Sequence, residues 1–164
     1  MATNLAALPY VLGKPGMVAT TTYKQTRQHM LDSFWVNTLD KIMYFGTACI
    51  LKNDVLDTAD ATGGQFIGVY LDDDRYVNRL GYAQKEKVNV GTNGDFWVRV
   101  DPAVTIKVLD KVQYLEATKT VGSAAVGGFF TNAAAAAGII AVPKTRFLTP
   151  NINGLAVIGL GMDA

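Results

Sequence analysis

Across 164 residues there is one cysteine and one histidine. Cys49, in the stretch GTACIL, excludes an intrachain disulfide and a cysteine metal cluster, and reads as a small buried hydrophobe. His29 sits in the polar stretch TRQHML with no carboxylate before Asp32. The sequence has no G-x-S-x-G elbow and no Cys-His pattern for it to complete, so a plain arm histidine is the favoured reading. Charge of one sign is missing too, since Lys plus Arg number 15 against 14 for Asp plus Glu. Without a long-range field, neither nucleic acid nor an anionic membrane is expected as a main partner. The lysines are spread among apolar strands, not gathered into a stripe with aromatic platforms. No run approaches the roughly 18 apolar residues of a membrane span. The opening MATNLAALPYVLGKPG has no basic region before its apolar part and is broken by Pro9, which makes a poor signal peptide. A chain made and kept in a reducing cytosol is the simplest expectation.

Two motifs invite chemistry and then fail on spacing. Asp72, Asp73 and Asp74 form an acidic triplet, but a calcium loop needs oxygens at alternating positions, a glycine turn and a distal glutamate, which DDDRYVNRLGY does not supply. A solvated loop with Arg75 and Arg79 as counter-charges is the expectation. GLAVIGLGMDA, residues 154 to 164, has G-x-G spacing, but its glycines follow a strand with no helix after them to hold a phosphate. No catalytic, metal or cofactor-binding residue is therefore assigned, no cofactor is expected, and a structural or binding role gains over an enzyme.

What the chain does have is apolar surface and turns: 49% of residues are hydrophobic, only 18% charged, and 16 are glycine. That surplus suits self-association or docking. From Phe34 onward, short β-prone runs alternate with turn residues, the pattern of an all-β sandwich or barrel. The runs are 34–36, 46–51, 66–70, 87–90, 96–100, 112–115, 139–142 and 155–160, with breakers at ATGG, TNG, DP and NING. Asn93-Gly94 predicts a tight hairpin turn, because both residue types tolerate positive φ. Residues 31–45 alternatively form a short helix over one end of the barrel. AAAAAG, residues 133–138, is too short for a stable helix and reads as a loop or single turn. Residues 1–32 show neither period and are read as an extended N-terminal arm, with 33–164 as the β domain. The apolar residues of the arm suggest that it lies on something, its own domain or a neighbour.

Within the expected hairpin, Phe96, Val98 and Val100 share one face of a strand, and Asp95, Trp97 and Arg99 the other. Trp97 is thus on the polar side. Either it covers a loop, or it is an interface anchor beside Arg99. On the second reading Trp97→Ala folds normally and assembles poorly.

The order FIGVYL, VNVGTNGDFWVRV, VLDKVQYLEATKTVG and VPKTRFLTPNINGLAVIGL resembles the structural cement, or head-decoration, proteins of tailed bacteriophages. The matching pieces are Ile67 to Tyr70, Val88 to Val100, Asp110 to Tyr114, Arg146 to Thr149 and Gly154 to Leu160. Each is an ordinary strand-and-turn pattern, and their collinear order carries the resemblance. Leu109 departs from it, standing where a glycine is common, and residues 122–138 are longer and richer in alanine. The resemblance implies a non-enzymatic, jelly-roll-like β domain on the outer surface of an icosahedral head. Its partners would be the major capsid protein and itself, as homodimer or homotrimer. Met17, Tyr23, Leu31 and Trp35 are then candidate contacts of the arm or its root, beside Trp97 and Arg99. Another virion module of tail, connector or spike, or a small-ligand barrel or hydrolase, stays open as an alternative.

Overall fold

The structure is a computed structural model and describes residues 13–19, 30–60, 62–73 and 78–162. Among them there is no helix, and the β-prone runs become thirteen strands. These are β1 (Met30–Val36), β2 (Met43–Tyr44), β3 (Ala48–Lys52), β4 (Val55–Thr58), β5 (Gln65–Tyr70), β6 (Gly81–Tyr82) and β7 (Lys87–Arg99). There follow β8 (Lys111–Leu115), β9 (Lys119–Val121), β10 (Ala124–Val126), β11 (Phe130–Thr131), β12 (Ile139–Phe147) and β13 (Leu155–Leu160). Nine of them form one sheet in the order β11-β8-β12-β13-β7-β5-β3-β4, with β1 also against β7; β9 pairs with β10 and β2 with β6. Every pairing between these strands is antiparallel.

The sheet curls into a half-barrel, and the segment leading into β11, at one end of the strand order, reaches across to β3 and to the end of β7. The Ala48 amide donates to the Gly128 carbonyl at 2.9 Å, and the Asp101 amide to the Phe130 carbonyl at 3.1 Å. Gly127 passes so close to Ala59 that a Cβ there would lie 2.4 Å from the Ala59 carbonyl oxygen. The expected all-β fold is present, in its barrel-like form. Inside the curl pack Ile50, Val69, Phe96, Val98, Phe130, Phe147 and Ile158, each from a different strand except Phe96 and Val98. A second cluster lies on the opposite face, where Met43 and Tyr82 of the small β2-β6 ribbon cover Leu56, Tyr70, Val88 and Val90. Cys49 is buried there as a free thiol.

The expected hairpin at Asn93-Gly94 is absent: residues 87–99 are one continuous strand of 13 residues. Gly94 does adopt positive φ, +123°, but as a bend within the strand and not as a turn. Opposite β1 the register passes from Met30↔Asn93 to Leu31↔Gly91, so Thr92 is the extra residue of a β-bulge. The bulge shifts the alternation by one. Before it, Val90 faces the outer cluster with its partner Tyr70; after it, Phe96 faces inward and covers Gly91. Long-range pairing decides the matter. Residues 90–91 are held by β5 and β1, and residues 94–99 by β13, so both halves gain partners that a two-stranded ribbon would lack.

The two-residue turns fall elsewhere. Asn53 and Asp54, at φ +50° and +62°, join β3 to β4 between the paired Lys52 and Val55. Asn153 and Gly154, at +53° and +82°, lead into β13, with Ile152 and Leu155 exchanging bonds of 2.8 and 3.1 Å. Both have the double positive φ that a tight hairpin demands.

The helical alternative for residues 31–45 is also overturned. β1 ends at Val36, and Asn37 then organises a loop, its side chain accepting from the Leu39 amide at 3.0 Å and donating to the Lys41 carbonyl at 2.8 Å. A buried asparagine that bonds backbone on both sides holds a turn better than a helix would hold these residues. The alanine run is a loop closed by a tight turn at Gly138, φ +76°, as expected.

Candidate functional site

The outer face of the second half of β7 carries Trp97 and Arg99, and it is not open. Residues 13–19 lie along it as a strap. The Gly16 amide donates to the Trp97 carbonyl at 2.7 Å, the Trp97 amide to the Met17 carbonyl at 2.8 Å, and the Ala19 amide to the Asp95 carbonyl at 2.8 Å. The Asp72 amide donates to the Gly16 carbonyl at 2.9 Å, so the strap also follows the end of β5. Lys14 forms an ion pair with Asp72, and Pro15 rests on Gly46, where a Cβ would lie 2.7 Å from the proline ring. This is β-augmentation within one chain, in which an extended segment satisfies the edge of a strand.

Under the strap, Trp97 is 1% exposed and packs with Ala19, Met17, Val157, Leu148 and Leu155. The expectation of an indole offered to a neighbour is thereby corrected, since its own chain covers it. The GKPG turn followed by Met17 and Val18 was the signal: apolar residues in an otherwise polar arm need a seat, and Trp97 is that seat.

The other candidates fall into two groups. Met17, Trp97 and Arg99 come together beneath and beside the strap. Trp35 lies on the other half of β7, half-buried, paired with Val88 and packed against the outer cluster. Leu31 pairs through its backbone with Gly91. Tyr23, like His29, Asp74 and Arg75, lies outside the described residues.

Arg99 is half-buried. Its Nε donates to the Phe45 carbonyl at 3.1 Å, and its backbone amide to Gly46 at 2.8 Å. Burial pushes the guanidinium below its ordinary pKa, with an opposing pull upward from Tyr44. It lines a pocket of about 160 Å³ with Lys14, Phe45, Asp72, Arg79 and Leu80. Sequence reading took only Arg99 of this group as an interface residue and put Asp72 and Arg79 in a solvated loop, because the other members arrive from the strap, the β2-β3 loop and the loops after β5. The acidic stretch is also less solvated than expected: Asp73 is 7% exposed and accepts from Asn89 Nδ2 at 3.0 Å. Arg79 pairs with Glu86.

A second exposed feature is the turn before β8. Val108 and Leu109 are 55% and 62% exposed, and Leu109 has φ +72°. Asp110 fastens this turn, accepting at Oδ2 from the Lys107 amide at 2.8 Å and from Asn132 Nδ2 at 2.7 Å. Those bonds, first the backbone one, hold its carboxyl below the usual aspartate range. Among the described residues, no group of three or more His, Cys, Asp and Glu is placed to hold a metal.

Fold and site together define an all-β half-barrel whose longest strand is strapped by the chain's own N-terminal segment. The chain belongs to the family described as "Structural cement protein (E217 gp24/Pam3 gp6)", which it matches over residues 8–161. Its fold is similar to that of a chain in a solved structure, "The capsid of Myoviridae Phage XM1", at 18% identity and a TM-score of 0.70, covering 98% of each chain. A search of curated proteins gave no match.

Proposed function

We propose that this protein is a non-enzymatic cement protein of a tailed-bacteriophage head, made in the host cytoplasm and carried on the outer surface of the assembled shell. There it bridges neighbouring major capsid subunits and stabilises them. Membership of the structural cement family across residues 8–161 carries this reading. The fold shared with a chain of the Phage XM1 capsid supports it. The mechanism is linkage: a protein that binds the assembled shell and not the disassembled subunits raises shell stability by mass action, and several contacts per particle add avidity. A curled β-module with its strap already seated along β7 suits the task because a preorganised surface lowers the cost of binding. Its partners are the major capsid protein and further copies of itself, a homodimer or homotrimer obeying the local capsid axis. Nucleic acid, membrane and cofactor have no part in it.

The test is co-sedimentation of purified protein with expanded heads that lack it, followed by calorimetry of the decorated heads. Saturable binding at micromolar protein and a raised head melting temperature are expected. Absence of binding at that concentration would end the cement reading.

A further inference from the structure

The pocket beside the strap has an imbalance of charge. Three cations, Lys14, Arg79 and Arg99, line it against one carboxylate, Asp72, in a chain whose formal net charge is only +1. Lys14 is paired with Asp72, and Arg79 with Glu86. Arg99 has no carboxylate partner among the described residues, and its one side-chain bond is from Nε to the Phe45 carbonyl. A guanidinium carries five N–H donors, so four remain, on a group held half out of water by packing. Beside it Leu80 is 53% exposed.

We propose that this pocket receives one carboxylate side chain, an aspartate or glutamate on a loop of the capsid subunit, with Arg99 as its anchor and Leu80 as its apolar rim. This rests on the cement reading for the identity of the partner, but not for the chemistry of the pocket. Its volume of about 160 Å³ admits one small acidic group. A polyphosphate backbone would call for a basic track, whereas the charge here converges on one point. The strap contributes Lys14, so seating the strap and completing the pocket are the same event.

The probe is glutarate, titrated into the full-length protein and followed by the ¹⁵N and ¹H shifts of the Arg99 Nε–H, with sodium chloride and inorganic phosphate at matched ionic strength. A saturable shift with glutarate, absent with chloride, weaker with phosphate and lost in a folded Arg99→Met protein, is expected. No saturable shift in the wild type overturns the pocket, whatever heads do; an equal response to phosphate also overturns it. In head co-sedimentation, Arg99→Gln should bind roughly 30-fold more weakly or worse, as for truncating one side of a buried charge pair. Arg99→Lys should recover part of that loss. Heads bound equally by wild type and Arg99→Gln overturn the assignment to a capsid carboxylate. Wild type that takes glutarate but binds no heads overturns the cement reading and the partner with it, leaving the chemistry of the pocket standing.

Discussion

Gly13 lies flat against the indole of Trp97, so close that a Cβ on Gly13 would sit 2.2 Å from both Cδ1 and Nε1 of the ring. The contact explains why a tryptophan on the polar side of a strand is nonetheless buried. Only a residue without a side chain lets the strap backbone reach the ring.

Gly13→Ala should therefore lift the strap. The overlap involves a packed ring, not the end of a flexible side chain, and overpacking of this kind costs about 1–3 kcal/mol. In a Trp35→Phe background, acrylamide quenching of the remaining tryptophan should rise. Quenching and melting temperature both equal to those of the parent would show that the strap tolerates a methyl group at Gly13.

Trp97→Ala is expected to lose about 3–5 kcal/mol in urea denaturation, the range for truncating a large buried aromatic. It is thus a folding variant, contrary to what alternation on the strand suggests. Trp97→Phe should recover much of the loss. An alanine variant as stable as wild type would mean that the strap does not seat on the ring in solution.

Leu109→Gly should not destabilise the fold despite removing a large side chain. Leucine at φ +72° bears roughly 1–2 kcal/mol of left-handed strain, its side chain buries little, and glycine adopts that φ freely at an entropic cost of about the same size or smaller. An unchanged or raised urea midpoint is the expected result. A fall of more than about 1 kcal/mol would show that the leucine packs against something in solution.

Asp110 gives a pH dependence with a definite sign. Its folded pKa is depressed, so its stabilising effect is complete above the ordinary aspartate range and is lost as pH falls through the folded value. Asp110→Asn should cost about 1 kcal/mol at pH 7, the scale of a hydrogen bond to a charged group at a partly exposed site. The gap between variant and wild type should close on acidification, read from urea midpoints at pH 7, 4 and 2.5. A gap independent of pH would mean that the carboxylate charge contributes nothing.

Much of the fold was legible locally. The runs at 66–70, 112–115 and 155–160 became β5, β8 and β13 with boundaries moved by one residue or none, because β-branched and aromatic residues between turn-formers leave few alternatives. The NING breaker became a true hairpin turn. Asn93-Gly94 carried the strongest hairpin signal and became a bend, since a residue pair that permits positive φ does not say which element will use it. Asn53-Asp54, a weaker signal, became the turn between β3 and β4. Short pairs such as β2-β6 and β9-β10 left no pattern long enough to read.

The sequence by itself determined that the chain is all-β and that Phe96, Val98 and Val100 share a buried face with Trp97 opposite them. These follow from side-chain alternation and burial, which act over a few residues. Tertiary structure alone decided that β7 runs unbroken through Gly94, that the strap covers Trp97, and that Lys14, Asp72 and Arg99 meet at one pocket. Each depends on which distant strand satisfies a given backbone edge, and that choice is made by the whole sheet as it curls, not by any segment within it.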